Sequence, residues 1–363
     1  MKLVAESGLW SLGPQVRSAP EVAVLEVAGA VLEWTVGAAS AADPRITFTD
    51  VVAAEWLWRL AGPDGHAVLV TAIDAGAPSD GQVVDLGDLE LAPEPVAALR
   101  HLAVGHWLRR WWPTSVRDGI AALDTALLDA EIAITTAQLQ DYFSHATFDS
   151  DIAGLLVPHR AALTSMAGQG DPRLRELARA VVELAEDLGL GDWSKDDESQ
   201  GVRRQDDYAL AAGGPGTAAD DVIARGVATV SWTAVPPAMF DAAEDTVEWS
   251  VSWSGTEALA DIAVATIGPA EGIELRFQSG PIIGRGALDI SGGTSLRLTA
   301  NGEPVTEDQA WAHHWDATVV AVGADVTEAE SARRRIRDWV RSRLSAPGPD
   351  SYLAEIVAGE ADY

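Results

Sequence analysis

Residues 247–253 read Val-Glu-Trp-Ser-Val-Ser-Trp, with apolar and polar side chains in strict alternation. Because successive side chains of a β-strand point to opposite faces, this pattern predicts a strand with one buried face. Ile273, Leu275 and Phe277 alternate with polar residues in the same way. Short strands without helices between them favour an antiparallel arrangement. The stretch therefore predicts a C-terminal domain built from antiparallel β-strands.

The surrounding sequence extends this domain in both directions. Further strands are predicted at 296–298 and 319–322, and the Asn301-Gly302 dipeptide is typical of a tight hairpin turn. Helical patterns over 327–344 and 351–359 follow the last strand. We therefore predict a sandwich-like antiparallel domain that is closed by C-terminal helices.

Apolar patterns divide the whole chain into four predicted parts, which together indicate an α+β fold. The parts are a β-rich domain at 1–95, a helical module at 96–195, an acidic Gly/Pro linker at 196–220, and the sandwich-like domain with its helices at 221–363. In the first part, four apolar runs are separated by turn residues and are expected to form strands. These runs are Val22–Val36, Ile46–Val52, Ala67–Ile73 and Val83–Leu91.

The helical module shows its clearest pattern after Asp171. Leu174, Leu177 and Val181 recur at helical spacing, and Asp171 is a typical helix cap. Two earlier helices are predicted over 96–112 and 120–142.

One internal similarity admits two explanations. Residues 32–36 read Leu-Glu-Trp-Thr-Val and residues 247–251 read Val-Glu-Trp-Ser-Val. A duplicated unit would produce this pair, and so would chance similarity between two amphipathic strands. Different strand orders in the two β regions would rule out a duplication.

Composition excludes several classes of function. The formal net charge is −30 at pH 7, and a surface this acidic repels phosphate backbones, so we expect no nucleic-acid partner. The chain has no cysteine, which excludes disulfides and thiolate metal sites and is consistent with a cytoplasmic location. We expect no membrane insertion, since the longest apolar stretch, 22–36, is short and contains two glutamates. No sequence signature indicates a bound cofactor, and we predict none.

A candidate metal site lies in the helical module. Imidazole and carboxylate groups bind zinc, manganese or iron, and four such residues occur within a short segment. They are His145, Asp149, Asp151 and His159. The same acidic residues are also good helix caps, so a purely structural role is the alternative.

A candidate ligand site lies ahead of the last predicted strand. Paired histidines, aromatic side chains and a carboxylate in one loop can bind a ligand or exchange protons. The residues are Trp311, His313, His314 and Asp316. In the alternative interpretation, tryptophan side chains fix the loop on the sheet and the histidines face solvent.

Arginine clusters are local exceptions in this acidic chain. Arg333, Arg337 and Arg341 recur every four residues in the predicted helix over 327–344, and we expect them to face solvent or an acidic partner. Trp339, on the apolar face, is expected to pack on the C-terminal β domain. A second candidate partner-binding cluster ends an earlier helix: Arg109, Arg110, Trp111 and Trp112.

Three functions remain open from the sequence. The leading hypothesis is a non-enzymatic interaction or scaffold protein that binds other proteins, because no catalytic motif is present. The first alternative is a metal-dependent hydrolase that uses the His/Asp residues of the helical module. The second is a binder of a small ligand or carbohydrate on a face of the β domain.

The predicted linker can be tested directly. Residues 196–220 combine acidic residues, glycine and proline with few apolar side chains. Limited proteolysis followed by mass spectrometry should therefore detect cleavage there before any cleavage within 221–345. Earlier cleavage inside the C-terminal β domain would contradict the predicted boundaries.

Overall fold

The computed structural model describes residues 1–39, 42–144, 147–148, 151–166, 168, 170–191, 193, 222–326 and 328–361. Two compact units emerge from the contacts between residues. Unit 1 comprises 1–112, 123–199 and 338–363, and unit 2 comprises 113–122 and 200–337. The predicted α+β class is confirmed, whereas the four-part division and the sandwich arrangement stay predictions.

An antiparallel sheet forms the β part of unit 1. Its strands lie in the order β3-β4-β5-β2-β1-β6. Their bounds are β1 (Lys2–Glu6), β2 (Leu9–Leu12), β3 (Val22–Val27), β4 (Ala30–Thr35), β5 (Arg45–Phe48) and β6 (Val83–Asp85). The run predicted at 22–36 is therefore a hairpin, which turns at Gly29 with a φ of 72°.

The helices of unit 1 follow and interrupt these strands. They are α1 (Trp58–Asp74), α2 (Pro93–Trp111), α3 (Thr125–Tyr142), α4 (Ile152–Leu156), α5 (Arg160–Met166) and α6 (Pro172–Asp187). The predicted cap Asp171 accepts a hydrogen bond from the backbone N–H of Arg173, and Asp124 caps α3 in the same way. The predicted helices of this module are confirmed to within a few residues.

The strand predicted at 67–73 is wrong. These residues belong to α1, which is interrupted at Gly62, where φ is 70° and ψ is 168°. Pro63 follows this break and begins the second helical segment, a position in which a proline loses no hydrogen bond. A short continuous apolar run does not distinguish a strand from a helix, and a glycine followed by a proline is as typical of a turn between strands as of a helix start.

Two antiparallel sheets form most of unit 2, in the orders β12-β9-β8-β7 and β14-β13-β11-β10-β15. The strands are β7 (Val222–Ala228), β8 (Val247–Trp253), β9 (Ala258–Val264), β10 (Glu274–Ser279), β11 (Ile282–Ala287), β12 (Gly293–Arg297), β13 (Thr299–Ala300), β14 (Glu303–Pro304) and β15 (Val319–Val322). The predicted hairpin at Asn301-Gly302 is confirmed between β13 and β14.

Both sheets contribute to one hydrophobic core, as the alternation at 247–253 indicates. Val247 and Val251 are fully buried, and the ring of Trp249 packs edge-on against Phe277 with centroids 5.6 Å apart. The first β region forms one sheet and the second forms two with other strand orders, so the duplication hypothesis is wrong.

Three further helices complete the described chain: α7 (Glu307–Ala312), α8 (Glu330–Ser345) and α9 (Leu353–Ala361). The predicted cap at Thr327 lies outside the described residues. Residues 330–337 of α8 belong to unit 2, and the remainder belongs to unit 1. Trp339 is half-buried and packs edge-on against Trp107 in α2, with ring centroids 5.4 Å apart, so its predicted position on the C-terminal β domain is wrong.

In unit 1, helix α2 packs closely against Tyr352 and against α3. A Cβ atom at Gly105 would lie 2.3 Å from the Tyr352 hydroxyl and 2.9 Å from a side-chain carbon of Ile132. The same hydroxyl donates a hydrogen bond to the carbonyl oxygen of His101 at 2.7 Å. A larger residue at position 105 would therefore separate α2 from both α3 and the segment that leads into α9.

The substitution Gly105→Ala tests this close approach. In an unhindered helix this change stabilises by about 1 kcal/mol, whereas overpacking costs about 1–3 kcal/mol. We expect Gly105→Ala to lower the free energy of unfolding, measured by urea denaturation with tryptophan fluorescence. An increase in stability would show that Tyr352 does not approach the helix as described.

Candidate functional site

An open cavity of about 520 Å³ lies in unit 1. This volume is within the range of roughly 300–1,000 Å³ that is typical of small-molecule sites. The apolar side chains that line it come from segments far apart in sequence: Val24, Leu25, Leu102, Phe148 and Leu155. The polar side chains in its lining are Glu26, His106, Arg109, Thr136 and Asp151.

Regular secondary structure positions most of this lining. Leu102, His106 and Arg109 are four and three residues apart in α2, and this spacing places them on one face of the helix. Asp151 caps α4 by accepting a hydrogen bond from the Gly154 backbone N–H at 2.7 Å. The cavity is therefore formed by folded elements rather than by one long loop.

The Phe148 ring is held by aromatic neighbours. It packs edge-on against Phe143 at a centroid distance of 6.1 Å, and Phe143 packs in the same manner against Trp56. The backbone N–H of Ala28 donates to the carbonyl oxygen of Thr147 at 2.8 Å, which ties this segment to the end of β3. These contacts fix an aromatic surface in the cavity wall.

A buried carboxylate lies beside the cavity. Asp129 in α3 is 2% exposed, and its Oδ2 atom accepts a hydrogen bond from His159 Nε2 at 3.1 Å. Arg109 Nε lies 2.8 Å from the other oxygen, Oδ1, yet no donor among the described residues is aligned to form a hydrogen bond with that oxygen. The Arg109 contact is therefore an ion pair without a hydrogen bond, and it neutralises a charge that would be costly to bury alone.

His106 is held in its neutral form near pH 7. Burial lowers the pKa of His106, the neighbouring Arg109 lowers it further, and Asp129 opposes both effects. Neutral imidazole has one nitrogen that donates and one that accepts a hydrogen bond. His106 thus adds hydrogen-bonding capacity to the cavity without adding charge.

The predicted metal site is only partly described by the structure. His145 and Asp149 lie outside the described residues. Of the other two residues, Asp151 lines the cavity and His159 contacts Asp129. Among the described residues, no group of three or more His, Cys, Asp or Glu side chains is placed to hold a metal ion. The metal site stays a prediction.

The predicted ligand residues in unit 2 lie on and after α7. His313 Nε2 is 2.9 Å from the Ser279 hydroxyl oxygen, and the His313 ring packs edge-on against Trp315. Ser279 is 1% exposed, whereas His313 is half-buried. The other three predicted residues are exposed: Trp311, His314 and Asp316. The ligand-binding role of all four residues stays a prediction.

Two arginines of the predicted solvent-facing stripe are buried. Arg333 and Arg337 are each 6% exposed, so that part of the expectation is wrong. Arg333 donates to both carboxylate oxygens of Glu244 at 3.0 and 2.8 Å, and Arg337 donates to the same carboxylate at 2.8 Å. Arg341 is exposed and lies 3.5 Å from Asp338. Of the three arginines in the stripe, Arg341 alone is exposed, and a partner role for the stripe stays a prediction.

The second predicted partner-binding cluster is more accessible. The Arg109 side chain is 50% exposed although it pairs with Asp129. Arg110 is exposed and stacks over the ring of Trp111 at 4.4 Å, while Trp111 and Trp112 are half-buried. A partner role for this cluster stays a prediction.

Sequence reasoning missed the cavity because its walls meet only in the fold. His106, Asp129 and Thr136 are not among the predicted site residues, and Arg109 is predicted to bind a partner. One local signal was present: Asp129 and Thr136 interrupt the buried apolar face of α3 at helical spacing.

Comparisons with known proteins do not identify a relative. No protein family model, curated protein or solved structure shows a significant match to this chain. No helix in the described part of the chain is long and apolar enough to cross a bilayer. The chemistry of the cavity is therefore the basis for a functional proposal.

The cluster of Glu244 with the buried Arg333 and Arg337 predicts a pH-dependent stability. Burial alone would raise the pKa of Glu244, but hydrogen bonds from Arg333 and Arg337 outweigh it and lower the pKa to about 2. A lowered pKa contributes stability that is present above about pH 4.5 and is lost as the pH falls towards 2. We expect Glu244→Gln to destabilise the protein by about 1.5–3 kcal/mol at pH 7, the range for hydrogen bonds to charged groups, and to remove part of this acid dependence.

Urea unfolding at a series of pH values measures this effect. Glu330→Gln is the matched control. Glu330 lies on α8, the helix that carries Arg333 and Arg337, and its exposed pair with Arg334 should contribute little to the free energy of unfolding. Equal stability of Glu244→Gln and the wild type at pH 7 would contradict the buried network.

Proposed function

We propose that this chain is a small-molecule-binding protein whose ligand occupies the cavity of unit 1. The observation that carries the proposal is the cavity itself, which combines a suitable volume with an apolar wall and a few polar groups. Such a lining buries the apolar part of a ligand and orients its polar part. The proposal develops the ligand-binding alternative from the sequence and moves its site from the β domain to unit 1.

The polar groups in the lining are supported by neighbouring residues, as a binding site requires. Arg109 is held against Asp129, Asp151 against the first turn of α4, and the Thr136 hydroxyl donates to the carbonyl oxygen of Ile132 at 2.7 Å. A ligand would therefore meet groups that are already ordered, which reduces the entropic cost of binding.

The interaction or scaffold function stays a prediction from the sequence. Its support is weakened because Arg333 and Arg337 are occupied by Glu244. The hydrolase alternative also stays a prediction, since two of its four residues lie outside the described part of the chain. A cytoplasmic location remains an expectation from the cysteine-free composition.

Filling the cavity should abolish ligand binding. Val24 lies on the edge strand β3, lines the cavity and is 39% exposed, so Val24→Trp can fill the space without disturbing the core. Val83→Trp is the matched control, since Val83 lies on the opposite edge strand, β6, and is 55% exposed. Both substitutions place a residue with high β-propensity in a strand.

The measurement is a thermal-shift screen of a small-molecule library with the full chain. A ligand at about 100 times its Kd stabilises the folded state by about 2.7 kcal/mol. Compounds that raise the Tm of the wild type should do so for Val83→Trp and not for Val24→Trp. Equal shifts in all three proteins, or no shift with any compound, would contradict the proposed function.

A further inference from the structure

The cavity lining carries more negative than positive charge. Glu26 and Asp151 contribute two carboxylates, and Arg109 contributes one guanidinium group. Arg109 is already held against the buried carboxylate of Asp129 at 2.8 Å. The positive charge in the lining is therefore compensated by the protein, while the negative charges are not.

Both lining carboxylates remain available. Neither Glu26 nor Asp151 forms an ion pair with any residue that the structure describes, and both are exposed. Asp151 uses one oxygen, Oδ1, to accept the hydrogen bond from the Gly154 backbone, which leaves Oδ2 for a ligand. Two uncompensated carboxylates in one cavity attract a cation more strongly than either does alone.

The remainder of the lining favours an organic cation over a bare metal ion. Leu102, Leu155 and the ring of Phe148 present apolar surface, which a hydrated metal ion cannot use. His106 is uncharged near neutral pH, and so it does not repel a cation.

We propose that the ligand of this cavity is a small organic cation, with an ammonium group directed to Glu26 and Asp151 and an apolar body against Phe148 and the leucines. This inference rests on the proposed function and specifies the chemical class of the ligand. It also predicts a selectivity: an uncharged compound of the same shape binds more weakly, and a carboxylate binds more weakly still.

Three compounds that share one ring test the charge preference. They are cyclohexylmethylamine, which is protonated at pH 7, cyclohexylmethanol, which is neutral, and cyclohexanecarboxylate, which is negative. Isothermal titration calorimetry with the full chain should show that the ammonium compound binds at least about tenfold more tightly than the alcohol, because hydrogen bonds to charged groups are the stronger ones. Its affinity should also fall as the salt concentration rises.

Conservative variants assign the preference to the two carboxylates. Asp151→Asn keeps a good cap for α4, and Glu26→Gln changes an exposed side chain on an edge strand. Each should weaken binding of the ammonium compound several-fold and leave binding of the alcohol unchanged. Glu183→Gln is the control, since Glu183 is exposed on α6 and does not line the cavity.

The outcomes separate the two proposals. Equal affinity for the amine and the alcohol, with both lost in Val24→Trp, would overturn the cation inference and leave the cavity as a binding site. Tighter binding of the carboxylate would also overturn it and would assign Arg109 as the ligand contact. Binding of none of the three compounds, together with an unproductive library screen, would overturn both proposals.

Discussion

The approach of Tyr352 to the backbone of α2 at Gly105 is the contact on which the arrangement of unit 1 depends. The Tyr352 side chain is fully buried, and its hydroxyl group satisfies the carbonyl oxygen of His101. Only a residue without a Cβ atom permits this distance, since the added atom would lie 2.3 Å from the hydroxyl oxygen. The position of α2 in turn decides where Leu102, His106 and Arg109 lie, and these residues form one wall of the cavity.

Buried arginine–carboxylate pairs are the second constraint. In unit 1, Arg343 donates to both oxygens of the fully buried Glu355, at 2.5 and 2.6 Å. In unit 2, Arg333 and Arg337 share Glu244. A chain with a net charge of −30 has few cations, and it places several of them where they neutralise buried acids. Such pairs add little net stability, but losing one partner leaves an unpaired buried charge, so they disfavour alternative arrangements of the helix.

Local patterns predicted much of the fold. The cap at Asp171 depends on residues two or three positions away, and the alternation at 247–253 depends on one buried face of a strand. Both patterns can therefore be read directly from the sequence. The helix at 67–73 was missed because an apolar run of that length fits either structure. The burial of Arg333 could not be predicted, since its partner Glu244 is 89 residues away in sequence. The cavity was missed for the same reason: β3, α2, α3 and the first turn of α4 meet only after folding.

The central claim is that the cavity of unit 1 holds a small organic cation, and the most direct test is a crystal structure of the full chain with bound cyclohexylmethylamine. The account predicts ligand density between β3, α2 and the start of α4, with the ammonium nitrogen within hydrogen-bonding distance of Glu26 or Asp151. Density for the compound elsewhere on the chain, or an ammonium group that points away from both carboxylates, would contradict it.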